Sequence, residues 1–416
     1  MKGLSSGRFK RRNALKEKLS YIRVEYLIYV KFTAYLRILN NSNKLENIKL
    51  KFSRIAVKVG SNVITQSDGS LNDGRILRLV EDIAVLYRQG IEIVLVTSGA
   101  VAAGRSEVTP SKKTNIIAAK QIWAAIGQVK LMSSYQFLFG KYGIQAGQLL
   151  ATKESFRDRR HYLNMKNCIS AMLENKVLPI VNENDAISIN ELMFTDNDEL
   201  SGLISSMLDC SSLFMLTNVD GVYTGFPGHE GTELIIRIEE DSDDLDKYIS
   251  SEKSGFGRGG MITKCSIARK IASHGIDVFI ANGTRDSIIS DIIREKDVPY
   301  THFIASNKKE TGVKKWLSHS NTFAKGAVVI NNGAKVALTG EKATSLLMIG
   351  ITRVDGFFKS GDIVRIIDED GNNIGLGKCQ FDSEKAEQNL GEKVSRPFIH
   401  YDYMVINEKI KSNIQI

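Results

Sequence analysis

Cysteine is scarce in this chain. Its 416 residues include four, Cys168, Cys210, Cys265 and Cys379, and no two form a CxxC pair. That spacing excludes a disulfide scaffold and a cysteine-built zinc site. Each thiol lies in an apolar or mixed stretch and is expected to be reduced and mostly buried, as in a cytosolic protein. Six histidines are scattered without an HExxH pattern, which argues against a zinc centre. Only five prolines occur, which excludes a Pro-rich or collagen-like chain. Long apolar runs are also missing, and a membrane span needs about 20 such residues. In the N-terminal region the most apolar stretch, Tyr26-Leu27-Ile28-Tyr29-Val30, ends at Lys31. It is too short for the core of a secretory signal, about 7–15 residues. A Walker A motif is absent, as is a clean GxGxxG after a first strand, so P-loop and standard dinucleotide readings are disfavoured.

What the chain has is positive charge, unevenly placed. The net charge is +9, which invites a nucleic-acid reading. Residues 1–51, however, carry 13 basic and 3 acidic residues, leaving 43 basic and 44 acidic in the remainder. The basic character belongs to a leader, and the body is close to neutral.

From Phe52 onward, apolar runs alternate with longer amphipathic stretches. Ile55–Val59 reads as a buried strand, and Asp73–Gln89 as a helix stopped by Gly90. Ile91–Val96 reads as a strand covered on both faces. Ile116–Phe139 is helical. Strands are expected at Gln145–Leu150, Val177–Val181, Leu213–Leu216 and Ile276–Ile280, with helices at Glu199–Leu208 and Met261–Ser273. This alternation predicts an α/β domain over residues 52–306 with a mainly parallel sheet. Residues 307–320 are polar and read as a linker. Residues 321–416 read as a small β-rich domain, with strands at Ala327–Ile330, Ile363–Ile367 and Met404–Ile406, and turns at Asn332-Gly333 and Asp370-Gly371. This tail carries 12 basic and 12 acidic residues.

In open α/β sheets ligands bind at the carboxyl ends of the strands, and those ends are rich here. Lys58 sits inside the first apolar strand, where a lysine is costly unless paired or bound to an anion. Gly60-Ser61-Asn62 follows it. Thr97-Ser98-Gly99-Ala100 is a small-residue turn whose glycine lets backbone N–H groups approach an anion. Asn182-Glu183-Asn184-Asp185 follows Val181, and Thr217-Asn218 follows Leu216. Asp196-Asn197-Asp198, taken alone, reads best as helix capping. Phe256-Gly257-Arg258-Gly259-Gly260-Met261 leads into a helix bearing Thr263 and Lys264, a loop suited to phosphates.

Together these segments are far more specific than any one of them. With Asp220-Gly221-Val222-Tyr223, their order resembles the glutamate 5-kinases of the amino acid kinase family. The β-rich tail resembles a PUA domain. The resemblance runs from about Phe52 to near the C-terminus and leaves the leader outside. It implies an amino acid kinase-like α/β/α sandwich followed by a PUA-like domain. It also implies transfer of the γ-phosphoryl group of ATP, with Mg²⁺, to the side-chain carboxylate of L-glutamate, the first step of proline biosynthesis.

By matched motif position, Lys58, Lys264 and Asp198 are the expected catalytic set; Asp198, with Asp196 as a second candidate, would order the two lysines or the metal shell, two roles the sequence does not separate. Ser98, Asp185, Asn197 and Asn182 are expected to bind glutamate. Lys58, Thr217, Gly260, Met261, Ile262, Thr263 and Lys264, with Gly259, are expected to hold ATP. Two positions depart from the family pattern: Asn218 stands where aspartate is common after the threonine, and Arg258 where threonine precedes the glycine pair. Both are placed near ATP from position alone. The resemblance further implies γ-glutamyl phosphate reductase as a separate functional partner, proline as a candidate feedback inhibitor, a homo-oligomer and a cytoplasmic location. No protein metal site is expected. The main alternative is a sister kinase acting on acetylglutamate, aspartate or uridylate. An RNA-binding protein acting through its tail is disfavoured because that tail is neutral overall.

Overall fold

A computed structural model describes residues 51–157, 159–187, 197–225, 227, 229–239, 260–307, 324–340 and 344–406. Nearly all of the leader, most of the linker, Asp196, Arg258 and Gly259 lie outside these residues. Ser53–Ile416 forms one compact unit.

The apolar runs become the strands of a central sheet: β1 (Arg54–Val59), β2 (Glu92–Val96), β3 (Gln145–Ala151), β4 (Val177–Glu183), β5 (Ser212–Thr217), β6 (Val222–Tyr223), β7 (Leu234–Ile235), β8 (Arg237–Ile238), β9 (Asp277–Asn282) and β10 (Tyr300–Phe303). All but β6 and β7, which pair separately, join one eight-stranded sheet in the order β3-β4-β2-β1-β5-β9-β10-β8. Neighbours from β3 to β9 are parallel, and β10 runs antiparallel to β9. Strands β1, β2, β4 and β5 are buried almost throughout, as strands covered on both faces must be.

The principal helices of this part are α1 (Asp73–Arg88), α2 (Ala100–Glu107), α3 (Ile116–Lys141), α4 (Arg159–Glu174), α5 (Asn197–Met207), α6 (Met261–Ser273) and α7 (Ile288–Ile293). Asn72 and Asn115 cap α1 and α3, their side chains accepting from Arg75 N at 3.1 Å and Ala118 N at 2.8 Å. After β1 the chain adds strands on one side, through β2, β3 and β4, and then crosses to place β5 on the other. That reversal puts the ends of β1 and β5 at a switch point, where such sheets bind ligands.

The tail forms a five-stranded sheet of β11 (Gly326–Ile330), β12 (Ile351–Asp355), β13 (Ile363–Asp368), β14 (Asn373–Lys378) and β15 (Met404–Ile406), ordered β12-β11-β13-β14-β15. Two short helices, α8 (Asn332–Thr339) and α9 (Ser383–Gln388), accompany it. Here the structure corrects the sequence reading. Asn332-Gly333 is not a turn between strands but the first turn of α8, because the Asn331 side chain accepts from Ala334 N at 2.8 Å and starts a helix. Strands β12 and β14 had no clear apolar signal of their own. Three cysteines are buried, and Cys168 on α4 is exposed; all four are free thiols. Among the described residues no helix is long and apolar enough to cross a membrane.

Candidate active site

Lys58 is drawn into the core by the strand that carries it. Its neighbours in β1 are buried, and the residue itself is 2% exposed. At this depth an ammonium needs a counter-charge, and Asp198 supplies it. Asp198 is fully buried in the first turn of α5, not acting as a cap ahead of a later helix. Its Oδ1 lies 2.5 Å from Lys58 Nζ, and its Oδ2 lies 2.7 Å from Lys264 Nζ. Lys264 reaches the same carboxylate from α6. Burial opposes charge on Asp198, but the two ammoniums outweigh it and hold its pKa below the ordinary carboxylate value. One carboxylate thus orients two lysines toward each other, a placement of positive charge suited to meeting an anion.

Beside it lies an amide network. Asn197 Nδ2 points at Thr97 O at 2.8 Å, Ser98 Oγ at 2.9 Å and Asn182 Oδ1 at 2.9 Å. Asn182, an inner residue of β4 and not of the loop after it, donates to Gln128 Oε1 at 2.7 Å. Gln128 was not anticipated from sequence. It arrives because α2 and α3 pack unusually closely. A Cβ on Gly104 would sit 1.9 Å from Trp123 O, and one on Gly127 would sit 1.8 Å from Ala100 O, so only glycine fits at either crossing point. Gly127, immediately before Gln128, was the available signal. The Ser98 turn likewise depends on Gly99, whose φ of +97° is left-handed and strained for other residues. The buried Asn197 Oδ1 hydrogen-bonds to nothing among the described residues.

These side chains open onto a pocket of about 480 Å³ that Ser98, Gly99, Asn197, Glu183 and Asp185 help to line. Asp185 lies in the turn after β4. Burial pushes its carboxyl up to about 6, only partly offset by Lys120.

On the other side of Lys58, β5 ends in Thr217, whose hydroxyl donates to Asn218 Oδ1 at 3.3 Å. Gly283 N donates to Thr217 O at 2.8 Å, tying this strand end to the loop after β9. In that loop Arg285 grips Asp220 through Nε and a terminal nitrogen, each at 2.9 Å, and Asn282 Nδ2 adds a contact at 3.0 Å. Arg285 and Asn282 were also missed, since nothing in the sequence links them to Asp220 across more than 60 residues. Gly260 caps α6, and Met261, Ile262, Thr263 and Lys264 form its first turn. Lys58, Lys264 and Asp198 are thus in direct contact, as are Ser98, Asn182 and Asn197. Asp185 lines the same pocket as Ser98 and Asn197. Thr217 and Asn218 lie at the end of the strand next to Lys58, and Arg258 and Gly259 lie outside the described residues.

Comparison with known proteins gives concordant matches. The amino acid kinase family matches residues 53–282, and the PUA domain family matches residues 326–397. A glutamate 5-kinase of Bacteroides thetaiotaomicron is 52% identical over 360 residues, covering 86% of this chain and 100% of the relative. A glutamate 5-kinase of Chlorobaculum tepidum is 48% identical over 85% of this chain and 98% of its own. One from Pelobacter propionicus is 35% identical over 83% and 92%.

Proposed function

The chain belongs to the amino acid kinase family, and we propose that it transfers the γ-phosphoryl group of ATP to the side-chain carboxylate of L-glutamate, opening proline biosynthesis. The observation that carries this reading is the carboxylate of Asp198 bridged between Lys58 and Lys264. Phosphoryl transfer is mostly positioning and charge neutralisation. A carboxylate nucleophile needs no general base. It does need to approach a triphosphate, and two lysines preset by one buried aspartate lower the repulsion between the two anions. A γ-carboxylate oxygen of glutamate bonds to the γ-phosphorus as the bond from that phosphorus to the β,γ-bridging oxygen breaks. The products are γ-glutamyl phosphate and ADP.

On this reading Asp185 takes the α-ammonium, and Ser98 and Asn197 donate to or accept from glutamate, with Asn182 holding Asn197 in place. Thr217, Asn218 and the Gly260–Lys264 turn hold ATP, joined by Arg258 and Gly259. Magnesium suits the nucleotide more than the protein. Mg²⁺ would be carried mainly by the ATP phosphates, beside one or two carboxylates as is usual for this ion, and would supply further charge neutralisation. The mixed anhydride is labile and must be consumed by a separate reductase acting on γ-glutamyl phosphate. Proline inhibition, a homo-oligomeric assembly and a cytoplasmic setting complete the proposal.

Hydroxylamine trapping of the acyl phosphate, together with ADP release, tests it directly. Glutamate should support both, and acetylglutamate, aspartate and uridylate should not. ADP release with one of those acceptors and none with glutamate would replace this reading with a sister kinase.

A further inference from the structure

The charge balance of the pocket identifies one more residue, given the glutamate reading above. L-Glutamate brings two carboxylates and one ammonium. Its γ-carboxylate belongs with the lysine pair, and its ammonium with Asp185. The α-carboxylate then enters a pocket whose lining already includes Asp68, Glu183 and Asp185. An anion placed among carboxylates needs a cation beside it. Among the described residues that line the pocket, Arg105 is the one lysine or arginine.

Its placement suits the role. Arg105 lies on α2, the helix that begins directly after Gly99, so it is fixed to the same turn that presents Ser98. Its guanidinium lies over the Trp123 ring, 4.6 Å from the centroid. The ring is itself held, Trp123 Nε1 donating to Val108 O at 2.9 Å. Stacking occupies the face of a guanidinium and leaves its in-plane N–H edge available, and that edge matches a carboxylate. Among the described residues Arg105 forms no ion pair. Lys120 is the competing cation: it is near enough to Asp185 to lower its pKa, and both it and Arg105 are exposed, but only Arg105 is part of the pocket lining.

We propose that Arg105 binds the α-carboxylate of the acceptor and so selects an α-amino dicarboxylate. The test compares glutamate with L-isoglutamine, which keeps the ammonium and γ-carboxylate but replaces the α-carboxylate with a neutral carboxamide. In the full-length protein, kcat/KM should favour glutamate by about 10- to 100-fold, the scale of one charge-assisted pair. In Arg105→Ala that ratio should collapse to near unity while KM for ATP stays unchanged, and Arg105→Lys should recover part of the preference. A merely structural role on Trp123 would weaken both acceptors alike. An unchanged ratio in Arg105→Ala and Arg105→Gln would overturn the assignment, as would a collapse in Lys120→Ala instead. No turnover of glutamate by the unmodified protein would instead sink the parent reading.

Discussion

At the scale of single residues, the decisive signal was a misfit. Lys58 is a cation in an otherwise apolar strand, and its burial at 2% exposure makes a partner obligatory. What the sequence could not disclose is that the partner is Asp198, 140 positions away, or that the same carboxylate also holds Lys264. Local context favoured capping for Asp198; only the tertiary fold turns it inward. Lys58→Ala or Lys264→Ala should each lower kcat about 10²- to 10³-fold, the scale of losing one preorganised transition-state donor, with far-UV circular dichroism unchanged. Asp198→Asn should behave differently. It removes the buried carboxylate that both ammoniums face and should cost about 3–5 kcal/mol in urea unfolding. Because the folded pKa of Asp198 is depressed, its stabilisation is present above the ordinary carboxylate range and is lost as pH falls through the folded value. Asp185 has the opposite sign, its carboxyl raised to about 6 by burial. The free protein should therefore lose the anion proposed to receive the substrate ammonium as pH falls below about 6, and kcat/KM for glutamate should drop about tenfold per pH unit there. Asp185→Asn should flatten that limb of the profile, and a profile that keeps its shape would assign the titration elsewhere.

At the scale of elements, periodicity located most of the strands and helices of the first domain. Their hydrophobic patterns repeat what the sheet and its covering layers demand. Legibility failed where a contact between elements, and not a pattern within one, decides the outcome. The Asn-Gly pair at 332–333 carries a hairpin signature, yet the preceding Asn331 caps a helix. Gln128 reads as an ordinary polar position on α3 until the glycine crossing of α2 and α3 brings it against Asn182. That crossing yields a prediction. Gly127→Ala would place a methyl carbon 1.8 Å from Ala100 O. Backbone cannot yield as a flexible side chain does, so the helices must part. Overpacking of this kind costs about 1–3 kcal/mol, measurable by urea unfolding. Since α2 starts at the Ser98–Gly99 turn, KM for glutamate should rise more than KM for ATP.

For the whole molecule, the +9 net charge was the most visible number and the least informative about the site. It resides in the leader, and the positive charge that matters is the local pair of lysines around Asp198. The sequence also separated a first domain from a β-rich tail by their patterns, but it could not show that the two share core. Ile363 on β13 and Leu376 on β14 are buried at 5% and 4% exposure within the same apolar cluster as Met207, Ile238 and Phe303 of the first domain. Truncating a buried leucine costs about 2–5 kcal/mol, depending on how far the cavity collapses. If the shared cluster couples the domains, that loss cannot stay in the tail. Leu376→Ala should therefore lower the temperature at which kinase activity is lost, although the residue lies on a strand remote in sequence from every catalytic group. Differential scanning calorimetry should show one transition moving as a whole. Two separated transitions, with only the tail's shifted and the heat-inactivation profile unmoved, would mean that the domains fold independently despite their common cluster.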